Sequence, residues 1–224
     1  MLVISPHLDD AVFSCAQLIQ SHQGAIILTI LAGYPPGPHS GWSGRTTGQS
    51  VAHEANKIRR GEDESASRVL GASLIWMDSL AQEYSNPTTE RLLGIEKSLA
   101  AAVATTEARS VLIPLGLTHP DHEMVSDAAL RAVFNSNLDT YVYMEMPYGQ
   151  ARPSHVRRRL RHLRRIYEID PVPPFVGDLQ TKAEAVNAYN SQIAALREGF
   201  GKHFNGVFTD PEKYWRLQPI VRKH

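Results

Sequence analysis

Only one cysteine, Cys15, stands among the 224 residues, so no disulfide forms within the chain and a reducing compartment is expected. It falls on the apolar face of a predicted helix, where a core role outweighs that of a nucleophile. Excess charge is lacking too. The 23 Lys and Arg match 23 Asp and Glu, so no global field recruits nucleic acid or an anionic membrane. No apolar run reaches bilayer-spanning length, and the N-terminus opens on strand residues without a basic leader or cleavage site. Gly-x-Gly-x-x-Gly, Walker-type, His-Glu-x-x-His and Gly-x-Ser-x-Gly patterns are missing, which removes support for dinucleotides, nucleotides and serine nucleophiles. These absences describe a soluble, cytoplasmic protein with no membrane span and no nucleic-acid partner; they leave homo-oligomerisation open. One domain over residues 1–224 is expected at this length.

What is present alternates short apolar runs with helical periodicity. Strands are predicted at Met1–Ile4, Ala25–Ala32, Ser73–Met77, Ser110–Pro114 and Thr140–Met146. Helices are predicted at Ala11–Ile19, Val51–Leu70 and Thr88–Thr105, the last started by Asn86-Pro87, then after Glu123 through Val133, and from Thr181 to Leu196. Strand, helix and strand at this spacing make βαβ units. The fold class is therefore α/β: a Rossmann-like three-layer α/β/α arrangement with a mostly parallel sheet and an irregular C-terminal extension. Gly33–Ser50, rich in Gly, Pro, Ser and Thr and holding His39, Trp42 and Arg45, reads as a substrate-side loop. The arginine run over 152–165 and the link through Pro171, Pro173 and Pro174 belong to the extension.

Two turns carry the chemistry. Ser5-Pro6-His7-Leu8-Asp9-Asp10-Ala11 joins the first strand to the first helix, and Thr118-His119-Pro120-Asp121-His122-Glu123 follows the fourth strand. An aspartate before a helix is also a preferred N-cap, so the first turn alone does not decide. In a parallel sheet, however, all such turns lie along one edge, which gathers three histidines and three aspartates at one rim. A catalytic zinc takes three protein ligands and keeps a position for water; two imidazoles and a carboxylate are a familiar set. That leaves an aspartate free to take a proton from water, and the third histidine to stabilise the reacting group.

Pro6-His7-Leu8-Asp9-Asp10 together with Thr118-His119-Pro120-Asp121-His122 resembles the PIG-L (LmbE-like) family of zinc-dependent N-deacetylases. The likeness extends through Ile58-Arg59-Arg60-Gly61-Glu62-Asp63-Glu64 to Leu70-Gly71, and to Lys182 with Tyr189-Asn190-Ser191-Gln192. The resemblance implies His7, Asp10 and His122 as metal ligands, Asp9 as general base and His119 as the group on the tetrahedral intermediate. It implies Asp121 as the partner that orients a histidine, and Arg59 and Asp78 as contacts to sugar hydroxyls. The expected substrate is a small N-acetylated amino sugar, cleaved to free amine and acetate. Leu8 and Ala11 depart from the family's His-Pro-Asp-Asp-Glu at positions not expected to bind metal, which bears on subfamily and substrate. Two alternatives stand beside this reading. One is an amidase acting on a larger sugar-linked conjugate through the same metal site; the other is a non-catalytic module that binds an anion through the arginine run.

Overall fold

Leu-Val-Ile-Ser, with every side chain buried, forms the central strand β1 (Leu2–Ser5). The computed structural model describes residues 1–38, 41–85 and 88–220. The later strands are β2 (Ile26–Thr29), β3 (Ser73–Trp76), β4 (Ser110–Pro114), β5 (Asp139–Tyr143), β6 (Tyr167–Val172) and β7 (Tyr214–Pro219). The helices are α1 (Asp10–Gln20), α2 (Trp42–Thr47), α3 (Ala52–Leu70), α4 (Thr89–Thr105) and α5 (Pro120–Val133). They continue as α6 (Tyr148–Ala151), α7 (Pro153–Leu163), α8 (Leu179–Asn187), α9 (Asn190–Phe200) and α10 (Lys202–Thr209).

The sheet runs β3-β2-β1-β4-β5-β7-β6. Its first five strands are parallel, while β7 lies antiparallel to both β5 and β6. From β1 the chain winds outward through β2 to β3, then returns to place β4 on the other side of β1. That reversal of direction opens a crevice at the carboxyl ends of β1 and β4, where open α/β sheets take their ligands. The two histidine-bearing turns leave from these two strand ends.

Helices α4 and α5 pack together, and α1, α3 and α8 form a second group. Covered by the sheet, α3, α8 and α10, α1 is buried from Asp10 through Ile19, which explains apolar and small residues around most of its circumference. α3 runs unbroken through Gly61 and ends where Gly71 adopts the left-handed conformation, φ 67°.

Three expectations change. Gly33–Ser50 contains a helix, α2, closed by Gly48 at φ 71°. The extension is regular: it adds β6 and β7 to the sheet, and the expected helix from Thr181 to Leu196 breaks near Ala188 and Tyr189 into α8 and α9. β5 stops at Tyr143, three residues short of its expected end at Met146. His39, Asn86, Pro87 and His224 lie outside the described residues.

Candidate active site

The turn after β1 is organised by Ser5. Its hydroxyl donates to the His7 carbonyl at 2.6 Å and accepts from the Ala11 amide at 3.0 Å, satisfying one of the orphan N–H groups of α1. Asp9 occupies the N-cap position but its side chain makes no capping bond. Its carboxylate is thus left for other work, and it lines a cavity. Asp10 instead folds back, Oδ2 accepting from the His7 amide at 2.9 Å.

The turn after β4 is strained. The His119 amide donates to the Leu117 carbonyl at 2.6 Å, closing a γ-turn centred on Thr118 with φ 66°. A β-branched residue in that region is an outlier that the surroundings must hold in place. Beyond it His119 caps α5, Nδ1 accepting from the Asp121 amide at 3.2 Å. An imidazole accepting through Nδ1 carries its proton on Nε2, so His119 is a donor on its other side.

Together the turns offer two groups whose ligand atoms lie within 4.8 Å of one another: His7, Asp10 and His122, and His7, His119 and Asp121. The second is already engaged in hydrogen bonds. Its His7 Nε2 lies 3.2 Å from Asp121 Oδ2, His119 Nδ1 is used as the cap, and both Asp121 oxygens accept from the Gln82 amide. The first is different. His122 is fully buried with Nε2 3.3 Å from Asp10 Oδ2, yet neither ring nitrogen has a hydrogen-bond partner among the described residues. His7 Nδ1 sits 3.2 Å from the same oxygen. Two imidazole nitrogens aimed at one carboxylate, one of them orphaned in the core, fit a metal ion better than a closed hydrogen-bond network.

Glu145 supports this group and was not legible as a site residue. It is completely buried; Oε1 accepts from the Gly116 and Leu117 amides at 2.8 and 2.9 Å and lies 3.4 Å from His122 Nδ1. Though it forms no hydrogen bond to the ring, Glu145 stands where a carboxylate behind a ligating histidine orients the imidazole and raises its basicity. The predicted strand ran through it to Met146, so only the observed end of β5 at Tyr143 puts Glu145 past a strand's carboxyl end, as with Asp9.

Charges follow from this geometry. Burial would lower His7, but hydrogen bonds to Asp10 and Asp121 outweigh it and raise the imidazole to about 10. Burial would raise Asp10, but the neighbouring His122 and His7 hold it well below the usual carboxylate range. For Asp121, burial is again outweighed, by the hydrogen bond to His7, and the carboxyl is lowered. Burial raises Asp9 even though Arg59 Nη2 lies 3.6 Å from its Oδ1. His119 is lowered to about 4 by burial and by the nearby His7 and His122, so it is neutral near pH 7.

These residues open onto a cavity of about 490 Å³ lined by His7, Asp9, Arg59, His119 and Asp121. Added to them are Gln82 and Glu83, and an apolar set of Trp42, Tyr148, Leu196 and Phe200. Arg59 also donates to Ser43 Oγ at 3.2 Å, tying α3 to α2. Asp78 is a correction: its side chain is 91% exposed, pairs at 3.5 Å with Arg60 and does not line the cavity. Arg60 bonds the Ala32 carbonyl and sits over Tyr34 and Trp76, so Asp78 belongs to that surface arrangement. The arginine run forms α7. There Arg159 turns inward to the Leu115 carbonyl, Ser126 and Asp127, while Arg157, Arg158, Arg161, Arg164 and Arg165 are exposed and away from the cavity lining.

Known proteins resemble this chain in sequence and in fold. A 2'-N-acetylparomamine deacetylase of Streptomyces fradiae is 28% identical over 206 residues, covering 85% of this chain and 72% of that protein. A deacetylase of the teicoplanin biosynthetic pathway, solved as a triple mutant, shares the fold with a TM-score of 0.80 at 20% identity, over 99% of each chain. A teicoplanin deacetylase solved in a zinc-inhibited form superposes with a TM-score of 0.75 at 20% identity, over 99% of each chain. The family model PIG-L, GlcNAc-PI de-N-acetylase, matches residues 2–133, the span that holds both turns and Arg59, and the chain belongs to that family.

Proposed function

We propose that the protein is a metal-dependent hydrolase that removes an N-acetyl group from an amino sugar or a small molecule containing one, releasing acetate. The observation that carries this reading is the uncapped Asp9 carboxylate facing the cavity beside the His7, Asp10 and His122 group. Family membership and the deacetylase relative support the reaction, and the relative's named substrate supports the amino sugar. A divalent metal, zinc on the chemistry of two imidazoles and a carboxylate, would supply Lewis acidity there.

In the proposed reaction Asp9 takes a proton from a water molecule while the water oxygen bonds to the acetamide carbon. A raised carboxyl close to cationic neighbours suits a base that must give its proton back. His119, neutral and protonated on Nε2, donates to the developing oxyanion without changing charge, comparable to a neutral histidine electrophile in other enzymes. The C–N bond then breaks, the leaving nitrogen takes the proton held by Asp9, and the acetic acid formed gives up its remaining proton to solvent as acetate. Asp121 holds His7 Nε2 and, through its amide, the His119 ring. Arg59 steadies Asp9 and stands where sugar hydroxyls would be met.

The test is acetate release from a panel of N-acetylated amino sugars by the zinc-loaded protein and by Asp9→Asn. Losing a general base is expected to cost about 10²–10⁴ in kcat with metal content retained. An Asp9→Asn protein that keeps full turnover would contradict the assignment.

A further inference from the structure

The exposed arginines of α7 take no part in the reaction above. The stretch 152–165 holds seven of the 23 basic residues and no acid, a concentration that the zero net charge conceals. α7 buries Val156, Leu160 and Leu163 along one stripe, and Arg159 turns inward beside it. At about 100° per residue, the rest of its circumference passes through His162, Arg158, Arg161 and Arg157. Arg157, Arg158, Arg161, Arg164 and Arg165 are exposed, and none has an ion pair or side-chain hydrogen bond among the described residues. Like charges three and four apart weaken a helix. The helix dipole answers for Arg161, in the last turn, but not for Arg157 and Arg158. His162 also lines a groove of about 540 Å³ between the ends of α5 and α7. Leu130, Leu163 and Tyr167 form its buried lining, while Phe134 and Ile166 stay 42% and 44% exposed. The groove's two acids are already paired, Asp127 with Arg159 and Glu96 with Arg131. An apolar recess thus lies beside a row of cations that has no counter-charge of its own.

We propose that this surface docks an acidic amphipathic helix of another protein. Its apolar side chains enter the groove beside Phe134 and Ile166, and its carboxylates meet Arg157, Arg158 and Arg161. Guanidinium forks match carboxylates in pairs, and a helix laid in a groove offers apolar anchors with charge beside them. A polyphosphate backbone would satisfy the arginines but leave the groove unfilled. An anionic bilayer takes up the apolar face of a basic helix, whereas α7 has that face packed in the core. The groove shares no residue with the lining of the catalytic cavity, so the inference stands apart from the deacetylase reading.

The probe is a fluorescein-labelled peptide of about 18 residues, with leucines three and four apart on one helical face and glutamates around them. Fluorescence anisotropy compares it with a peptide of the same composition in shuffled order and with labelled oligothymidine; sedimentation measures binding to phosphatidylserine vesicles. Zinc-loaded wild type is expected to bind the patterned peptide with a Kd on the order of 10 μM at low salt, weakening about tenfold by physiological ionic strength. The shuffled peptide should bind about tenfold more weakly. The triple variant Arg157→Ser, Arg158→Ser, Arg161→Ser should lose about tenfold or more and Ile166→Ser about threefold, with circular dichroism and metal content unchanged. Patterned-peptide binding no tighter than about 1 mM, equal affinity for the shuffled peptide, or an affinity unmoved in either variant overturns the proposal. Tighter binding of oligothymidine or of the vesicles overturns it as well, in favour of a nucleic acid or a membrane.

Discussion

Single residues here act through what their hydrogen bonds leave unspent. Asp9 sits where a cap would be and does not cap; His119 caps through one nitrogen and so has its other nitrogen fixed as a donor. Glu145 anchors the Gly116 and Leu117 amides and stands behind His122. Glu145→Gln keeps an oxygen for those amides but removes the charge beside the imidazole. Zinc affinity measured by competition with a chelator should fall about 10- to 100-fold, with the fold retained by circular dichroism; an unchanged affinity would deny Glu145 that role. Asp63 makes a different prediction. Although Tyr189 and Trp76 donate to it at 2.6 and 2.8 Å, burial raises its carboxyl from 3.8 to about 7. Between those values the folded chain holds a proton that the unfolded chain has lost, so stability falls as pH rises through the window and levels off above about 7. The slope from this one group is roughly 1.4 kcal/mol per pH unit. In denaturant unfolding of chelator-treated protein, Asp63→Asn should lack that decline and gain on wild type from about pH 5 to about pH 7. Parallel profiles would mean that Asp63 is ionised throughout.

At the scale of elements, the C-terminal segments complete what the first five strands begin. Lys182 of α8 and Glu212, just before β7, are both fully buried and pair at 2.8 Å. Glu212 also accepts from the Gln17 and Leu18 amides of α1 and from Tyr214, so one carboxylate joins α1, α8 and β7. Lys182→Met leaves that charge buried without its cation and should destabilise by about 3–5 kcal/mol in chemical unfolding. A loss below about 1 kcal/mol would show that the three neutral donors suffice. These later elements were also the hardest to read. Strands β1, β2 and β4 are legible because burial on both faces demands continuous apolar runs. β6 is an edge strand with mixed exposure and carries Pro171, tolerated there because an edge strand need not donate on both sides. α2, six residues with a glycine inside, has no periodicity to detect and owes its place to Gln192, 150 positions away. Trp42 in the cavity wall agrees with the reading of Gly33–Ser50 as a substrate-side segment, although its helical form was not expected. Asp78 fails as a site residue in the reverse way: it ends a strand as expected, but its side chain turns to Arg60 and solvent.

For the whole molecule, topology is what unites the site. The two turns are more than a hundred residues apart in sequence, yet β1 and β4 are neighbours at the point where the winding of the sheet reverses. Histidine and aspartate in each turn were legible from sequence; their meeting within 4.8 Å required the strand order. Balanced charge agrees with recognition concentrated in this crevice rather than in a global field. Among the described residues no helix is long and apolar enough to cross a membrane. The most direct test is the metal content of protein purified and dialysed against zinc at neutral pH, for wild type, Asp10→Ala and His122→Ala. About one tightly held divalent ion per chain in wild type, lost in both variants while they remain folded, is the predicted result. No metal in wild type, or full retention in both variants, would contradict a shared metal site built from the two turns.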